Sequence, residues 1–202
     1  LQSAAQFDTL VLQPPPGRVA SDAALIFLHG YAGSFYVYCW ELAQAAAAAN
    51  LVTLCPAMDA KGAWWSADGE KIFQATLDYA QRSGMNRIYV AGLSNGAAGA
   101  SVLALAHARR LSGLVLISGT RAEHPPALPT LVVQGASDQM MPASLARAYA
   151  ARPPQAQYRE LAGGHFILLS RYQQVRPLVA EFLLGLEQRA PGSPAFVRKP
   201  QR

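Results

Sequence analysis

The chain has 202 residues, 51% of them hydrophobic and 14% charged, with a formal net charge of +5. That balance excludes a largely disordered chain, and the length suits one domain with a large core. No apolar run reaches the roughly 20 residues that span a bilayer, and the arginines are scattered singly, without the basic stripe and interleaved aromatics that favour nucleic acid.

A first strand is predicted over 7–12, followed by the turn-forming PPPG at 14–17. ALIFLHG then supplies an apolar strand that stops at Gly30. A helix is expected over 41–49, a strand in LVTLCP at 51–56, an amphipathic helix over 70–82 and a strand in RIYVAG at 87–92. Beyond it come a helix over 97–108, two apolar β-branched runs, LSGLVLISG and PTLVVQG, and a helix over 144–151. QYRELAGGH gives the last short strand, and a closing helix covers 172–188. Strands this apolar, alternating with helices, predict an α/β domain: a doubly wound, mainly parallel sheet with helices on both faces. The domain is expected to occupy 1–189, with a basic, proline-rich tail at 190–202.

The two cysteines, Cys39 and Cys55, show no metal-ligand spacing, and the reading favours two buried free thiols over a disulfide. No cluster of ligand residues suggests a metal, and no motif suggests a cofactor. The chain begins at Leu1, so its compartment is not legible from this end.

In a sheet of this kind, ligands bind beyond the carboxyl ends of the strands. One such end reads GLSNG, which fits GxSxG with Ser94 between Gly92 and Gly96 at a strand-to-helix junction. A serine there could be nothing more than a helix cap. Flanking glycines point further, to a strained turn whose crowding leaves no room for side chains two residues on either side. A serine hydroxyl becomes a useful nucleophile when a base accepts its proton. Of the four histidines, His165 follows the last strand in AGGHF, whereas His29, His107 and His124 have ordinary structural explanations. Of the carboxylates between Ser94 and His165, only Asp138 directly follows an apolar strand; Glu160 lies within a strand pattern and Glu123 in a loop.

With the LHGYAG loop, the GLSNG turn, the GASD turn and the GGH loop in this order, nearly the whole chain resembles the α/β hydrolase superfamily. A narrower similarity is to small lidless bacterial esterases and to polyhydroxybutyrate depolymerase and feruloyl esterase relatives. The resemblance implies a serine esterase with Ser94, Asp138 and His165 as triad, and an oxyanion hole from the backbone amides of Asn95 and Tyr31, with Ala32 as the alternative to Tyr31. It implies no cofactor, and a rate that falls on the acid side of neutrality. Only TRAEHPPALP joins the two strands before the acid, so no lid is expected and the site should be open to small-molecule or polymeric esters. Trp64, Trp65 and Phe35 are the expected substrate contacts, while Tyr38 and Trp40 are expected to pack beneath the loops. Two rival readings are a thioesterase using the same mechanism and a binding protein that retains the scaffold without turnover.

Overall fold

The computed structural model describes residues 8–17, 22–33 and 36–189. The elements in chain order are β1 (Thr9–Leu12), β2 (Ala23–Leu28), α1 (Tyr36–Ala48), β3 (Val52–Pro56), α2 (Ala67–Arg82), β4 (Arg87–Leu93) and α3 (Asn95–Ala106). They continue with β5 (Gly113–Ile117), β6 (Thr130–Gly135), α4 (Ala143–Ala150), β7 (Ala156–Leu161), α5 (Ile167–Ser170) and α6 (Tyr172–Glu187). The predicted 190–202 tail, Phe7 and Phe35 lie outside the described residues.

The described residues form a seven-stranded sheet in the order β1-β3-β2-β4-β5-β6-β7. Only β1 is antiparallel, pairing Thr9 with Pro56 through Leu12 with Thr53; the other pairs are parallel. All six residues of β2 are buried, which requires cover on both faces. The period of two sorts them: Ala23, Leu25 and Phe27 join a core cluster with residues of α1 and α6, whereas Ala24, Ile26 and Leu28 join one with residues of α2, α3 and α4. Each buried Leu, Ile or Phe contributes roughly 1.5–3 kcal/mol. At the far edge, β7 shows alternating exposure and turns Arg159 and Glu160 outward, which discourages pairing with another chain.

The chain leaves β2 toward β3 on one side, returns across β2 to β4, and then proceeds outward on the other side. The loops after β2 and β4 therefore diverge, opening a crevice at the point where the strand order reverses. No described helix is long and apolar enough to cross a membrane.

Two expectations change here. Helix α1 begins at Tyr36, not at residue 41: the aromatic and β-branched residues of its YVYCW start are weak helix formers, and the helix packs against α6. Cys39 and Cys55 are not free thiols: they form a disulfide with Cα atoms 6.2 Å apart, joining α1 to β3. Both cysteines are buried on facing elements, a proximity that a separation of 16 residues does not announce.

Candidate active site

Ser94 stands between β4 and α3 with φ 56° and ψ −119°, a backbone conformation that costs a non-glycine residue about 1–3 kcal/mol. Hydrogen bonds hold it there, with the Ser94 amide donating to the Ile117 carbonyl at 2.9 Å and the Ala98 amide donating to the Ser94 carbonyl at 2.9 Å. The turn is tight enough that a Cβ at Gly92 would lie 2.3 Å from the Gly96 oxygen, and one at Gly96 would lie 1.9 Å from the Leu28 oxygen. The hydroxyl is consequently free of any capping role, and no side-chain cap bond is made.

The Ser94 hydroxyl lies 2.8 Å from Nε2 of His165. The other imidazole nitrogen, Nδ1, lies 2.8 Å from Oδ2 of Asp138. An ionised carboxylate only accepts, so Nδ1 carries the proton and Nε2 is left to accept from Ser94. Asp138 is held by β6, since it comes three residues after Gly135, and His165 is held by the loop after β7. The two loops are sewn together by the Ala136 amide on the Leu161 carbonyl and the Ser137 amide on the Gly163 carbonyl, both at 2.9 Å. A Cβ at Gly135 would lie 2.3 Å from the Gly164 oxygen, so this approach needs glycine. The Asp138 side chain is fully buried, and its charge is compensated by N–H donors: the amides of Met140 and Met141 on Oδ1, each at 2.9 Å, and Gln134 Nε2 on Oδ2 at 2.8 Å.

The other carboxylates go elsewhere. Glu160 pairs with Arg147 and Tyr158, and Glu123 is exposed. His107 pairs with Glu70 at 2.6 Å, and His124 is exposed. His29 is buried at the end of β2, where Nε2 accepts from the Met58 amide at 3.1 Å and Nδ1 donates to the Gly30 carbonyl at 2.8 Å. Burial pushes its pKa down from 6.5, against the opposing hydrogen bond to Gly30 and the charge of Asp59.

Across the crevice, Tyr31 is 70% exposed. The Ala32 amide donates to the Ala60 carbonyl at 2.5 Å, whereas the amides of Tyr31 and Asn95 donate to no described residue. The Asn95 side chain is occupied separately, donating from Nδ2 to the Lys61 carbonyl at 2.8 Å.

Trp64 corrects an expectation. It is fully buried, with Nε1 donating to the His29 carbonyl at 2.8 Å, and it packs so closely that a Cβ at Gly99 would lie 2.2 Å from its own Cβ. It is core beneath the crevice and offers no face to a ligand. Trp65 is half-buried, with the Arg121 guanidinium 4.3 Å from its ring centre. Of the two aromatics expected to pack below, Tyr38 is half-buried, while Trp40 is 38% exposed beside Arg176. The sequence reading missed Phe166, 59% exposed with its ring edge-on to His165 at 5.4 Å, and Met140, 63% exposed beside Asp138. Their signal was position alone, since each follows closely on a residue of the hydrogen-bonded chain. Gln134 was missed as well, hidden in an apolar strand.

No family model and no curated protein sequence matches the chain. Solved structures do. Est1E from Butyrivibrio proteoclasticus, with ferulic acid bound, superposes with a TM-score of 0.77 at 16% identity, over 89% of this chain and 95% of its own. An α/β serine hydrolase homologue from Coxiella burnetii gives 0.75 at 18% identity, over 90% and 94%. XC6422 from Xanthomonas campestris, an α/β serine hydrolase without a lid, gives 0.71 at 19% identity, over 93% and 91%. Here, too, residues 118–129 join β5 to β6 without any helix. The architecture and these neighbours agree: the chain has the α/β hydrolase fold, in a form without a lid domain.

Proposed function

We propose that this protein is a serine hydrolase that cleaves carboxylic esters through an acyl-enzyme intermediate. The observation that carries the reading is the unbroken chain from the Ser94 hydroxyl through His165 to Asp138, at 2.8 Å per step, on a turn that presents the hydroxyl at the crevice. In this mechanism the Ser94 oxygen attacks the acyl carbonyl as its proton passes to Nε2 of His165, and Asp138 stabilises the imidazolium that forms. The tetrahedral oxyanion is held by the amides of Asn95 and Tyr31. The Ala32 amide is already engaged, which favours Tyr31 as the second donor. The start of α3 adds its positive end to the same position. His165 then returns the proton to the departing alcohol, and water repeats the sequence on the acyl-enzyme.

Tyr31, Met140 and Phe166, all large, apolar and exposed, give the site an apolar surround. Trp65 and Phe35 are proposed as further contacts, and small or polymeric esters both fit the absence of a lid.

The test is covalent. Incubation with a fluorophosphonate followed by peptide mass spectrometry should place the label on Ser94, and an unlabelled Ser94 in folded protein would overturn the reading. A panel of p-nitrophenyl esters of rising acyl length, an aromatic-acid ester and an insoluble polyester then ranks substrates by kcat/KM.

A further inference from the structure

Gln134 is the only polar side chain of β6 apart from Thr130 at its start, and it is fully buried. Its amide nitrogen donates twice, to Oδ2 of Asp138 at 2.8 Å and to the Met141 carbonyl at 2.9 Å. The Met141 amide in turn donates to Oδ1 of Asp138 at 2.9 Å. These three contacts close a ring: Gln134 to one carboxylate oxygen, the other carboxylate oxygen to the Met141 amide, and the Met141 carbonyl back to Gln134.

The orientation of the amide follows from its partners, because reversing it would press Oε1 against a carboxylate oxygen and a carbonyl oxygen. Oε1 itself is buried with no hydrogen-bond partner among the described residues. Leaving a buried acceptor unsatisfied is costly, so a residue present for packing alone would be better as methionine or leucine. The amide group has to be accounted for by what its nitrogen does.

Two backbone amides hold Oδ1, whereas without Gln134 the sole partner of Oδ2 among the described residues would be the His165 imidazole. Gln134 supplies a second, rigid anchor on Oδ2 from a strand interior. We propose that Gln134 is a positioning residue that clamps the Asp138 carboxylate toward His165 during turnover. The inference rests on the proposed catalytic roles of Ser94, His165 and Asp138. Gln134 touches no substrate and acts through Asp138 alone.

Gln134→Met tests it, since methionine preserves length and approximate volume while removing both donors and the unsatisfied acceptor. The expected result is a roughly 10- to 100-fold fall in kcat with KM unchanged, and a matching fall in the rate of fluorophosphonate labelling. In an Asp138→Ala background, where no carboxylate remains to be clamped, the same substitution should leave the residual labelling rate unaltered. Gln134→Glu supplies a second reading: it keeps the shape but sets a carboxylate against a carboxylate, and the loss of kcat should exceed that of Gln134→Met. Wild-type kcat and labelling in either folded variant would overturn the clamp, as would an equal proportional loss in the presence and absence of Asp138. If Ser94 is labelled and Asp138→Ala slows labelling while the Gln134 variants do not, only the clamp fails. If Ser94→Ala retains the esterase rate, the catalytic reading fails and takes the clamp with it.

Discussion

Strand β4 runs between two carboxylate networks of opposite character, one half-buried around Glu187 and one fully buried around Asp138. At its start Arg87 forks onto Glu187, the last residue of α6, with contacts of 2.8–3.2 Å, and also reaches Asp22; the Tyr89 hydroxyl donates to the same glutamate at 2.6 Å. At its end Ser94 leads through His165 to Asp138. The Arg87 guanidinium is pushed to a still higher pKa, first by its hydrogen bond to Glu187, and the Tyr89 phenol is pushed up by burial and then by Glu187. Neither changes charge in the ordinary range, so the partners of Glu187 lock a helix to a strand. Asp138 instead faces the His165 imidazole, whose other ring nitrogen reaches the Ser94 hydroxyl. A permanently charged partner makes a carboxylate a fastener, whereas an imidazole that also reaches a serine hydroxyl suits it to the proton-transfer role proposed above.

The comparison is broken most severely at the Ser94 end. Ser94→Ala should lower kcat for ester hydrolysis by about 10⁶ and Asp138→Asn by about 10⁴, with melting temperatures close to wild type; steady-state kinetics beside thermal denaturation checks both. Gly96→Ala acts on the same turn through packing. Its Cβ would lie 1.9 Å from the Leu28 oxygen, so a loss of ~3 kcal/mol in chemical denaturation is expected. At the other end, Glu187→Gln should cost about 1–3 kcal/mol in the same assay and leave kcat unchanged, sharpening the contrast between fastening and chemistry.

The smallest effect concerns His29. Its folded pKa is depressed below 6.5, so the unfolded chain binds the proton more readily and stability falls as pH drops through 6.5 toward the folded value. The slope is at most about 1.4 kcal/mol per pH unit. His29→Gln should flatten that part of a plot of melting temperature against pH; a variant curve parallel to wild type would remove His29 as its source.

What was legible in the sequence was what local pattern controls. The strands of the sheet are short apolar runs, and the tight serine turn shows itself because glycine is needed on both sides of it. Asp138 and His165 were legible by place, each following a strand end. What long-range packing decides was hidden. Trp64 and Trp65 are adjacent and chemically identical, yet Trp64 lies buried against Gly99 and Trp65 stacks beneath Arg121. The start of α1 reads as loop because its aromatic and β-branched residues give little local helix signal, and the helix they join packs against α6. Gln134 lies in a run that reads as an apolar strand, and its role depends on Met141 and Asp138, which the fold brings to it.

The bridge between Cys39 and Cys55 has a practical corollary. It consumes the sulfurs of both cysteines in the chain, so the oxidised protein offers no thiol to an electrophile. Iodoacetamide and maleimide therefore become built-in blanks for the labelling experiment: a covalent adduct formed by the phosphonate in a preparation that ignores both reagents reports on hydroxyl chemistry, with no cysteine variant needed to interpret it.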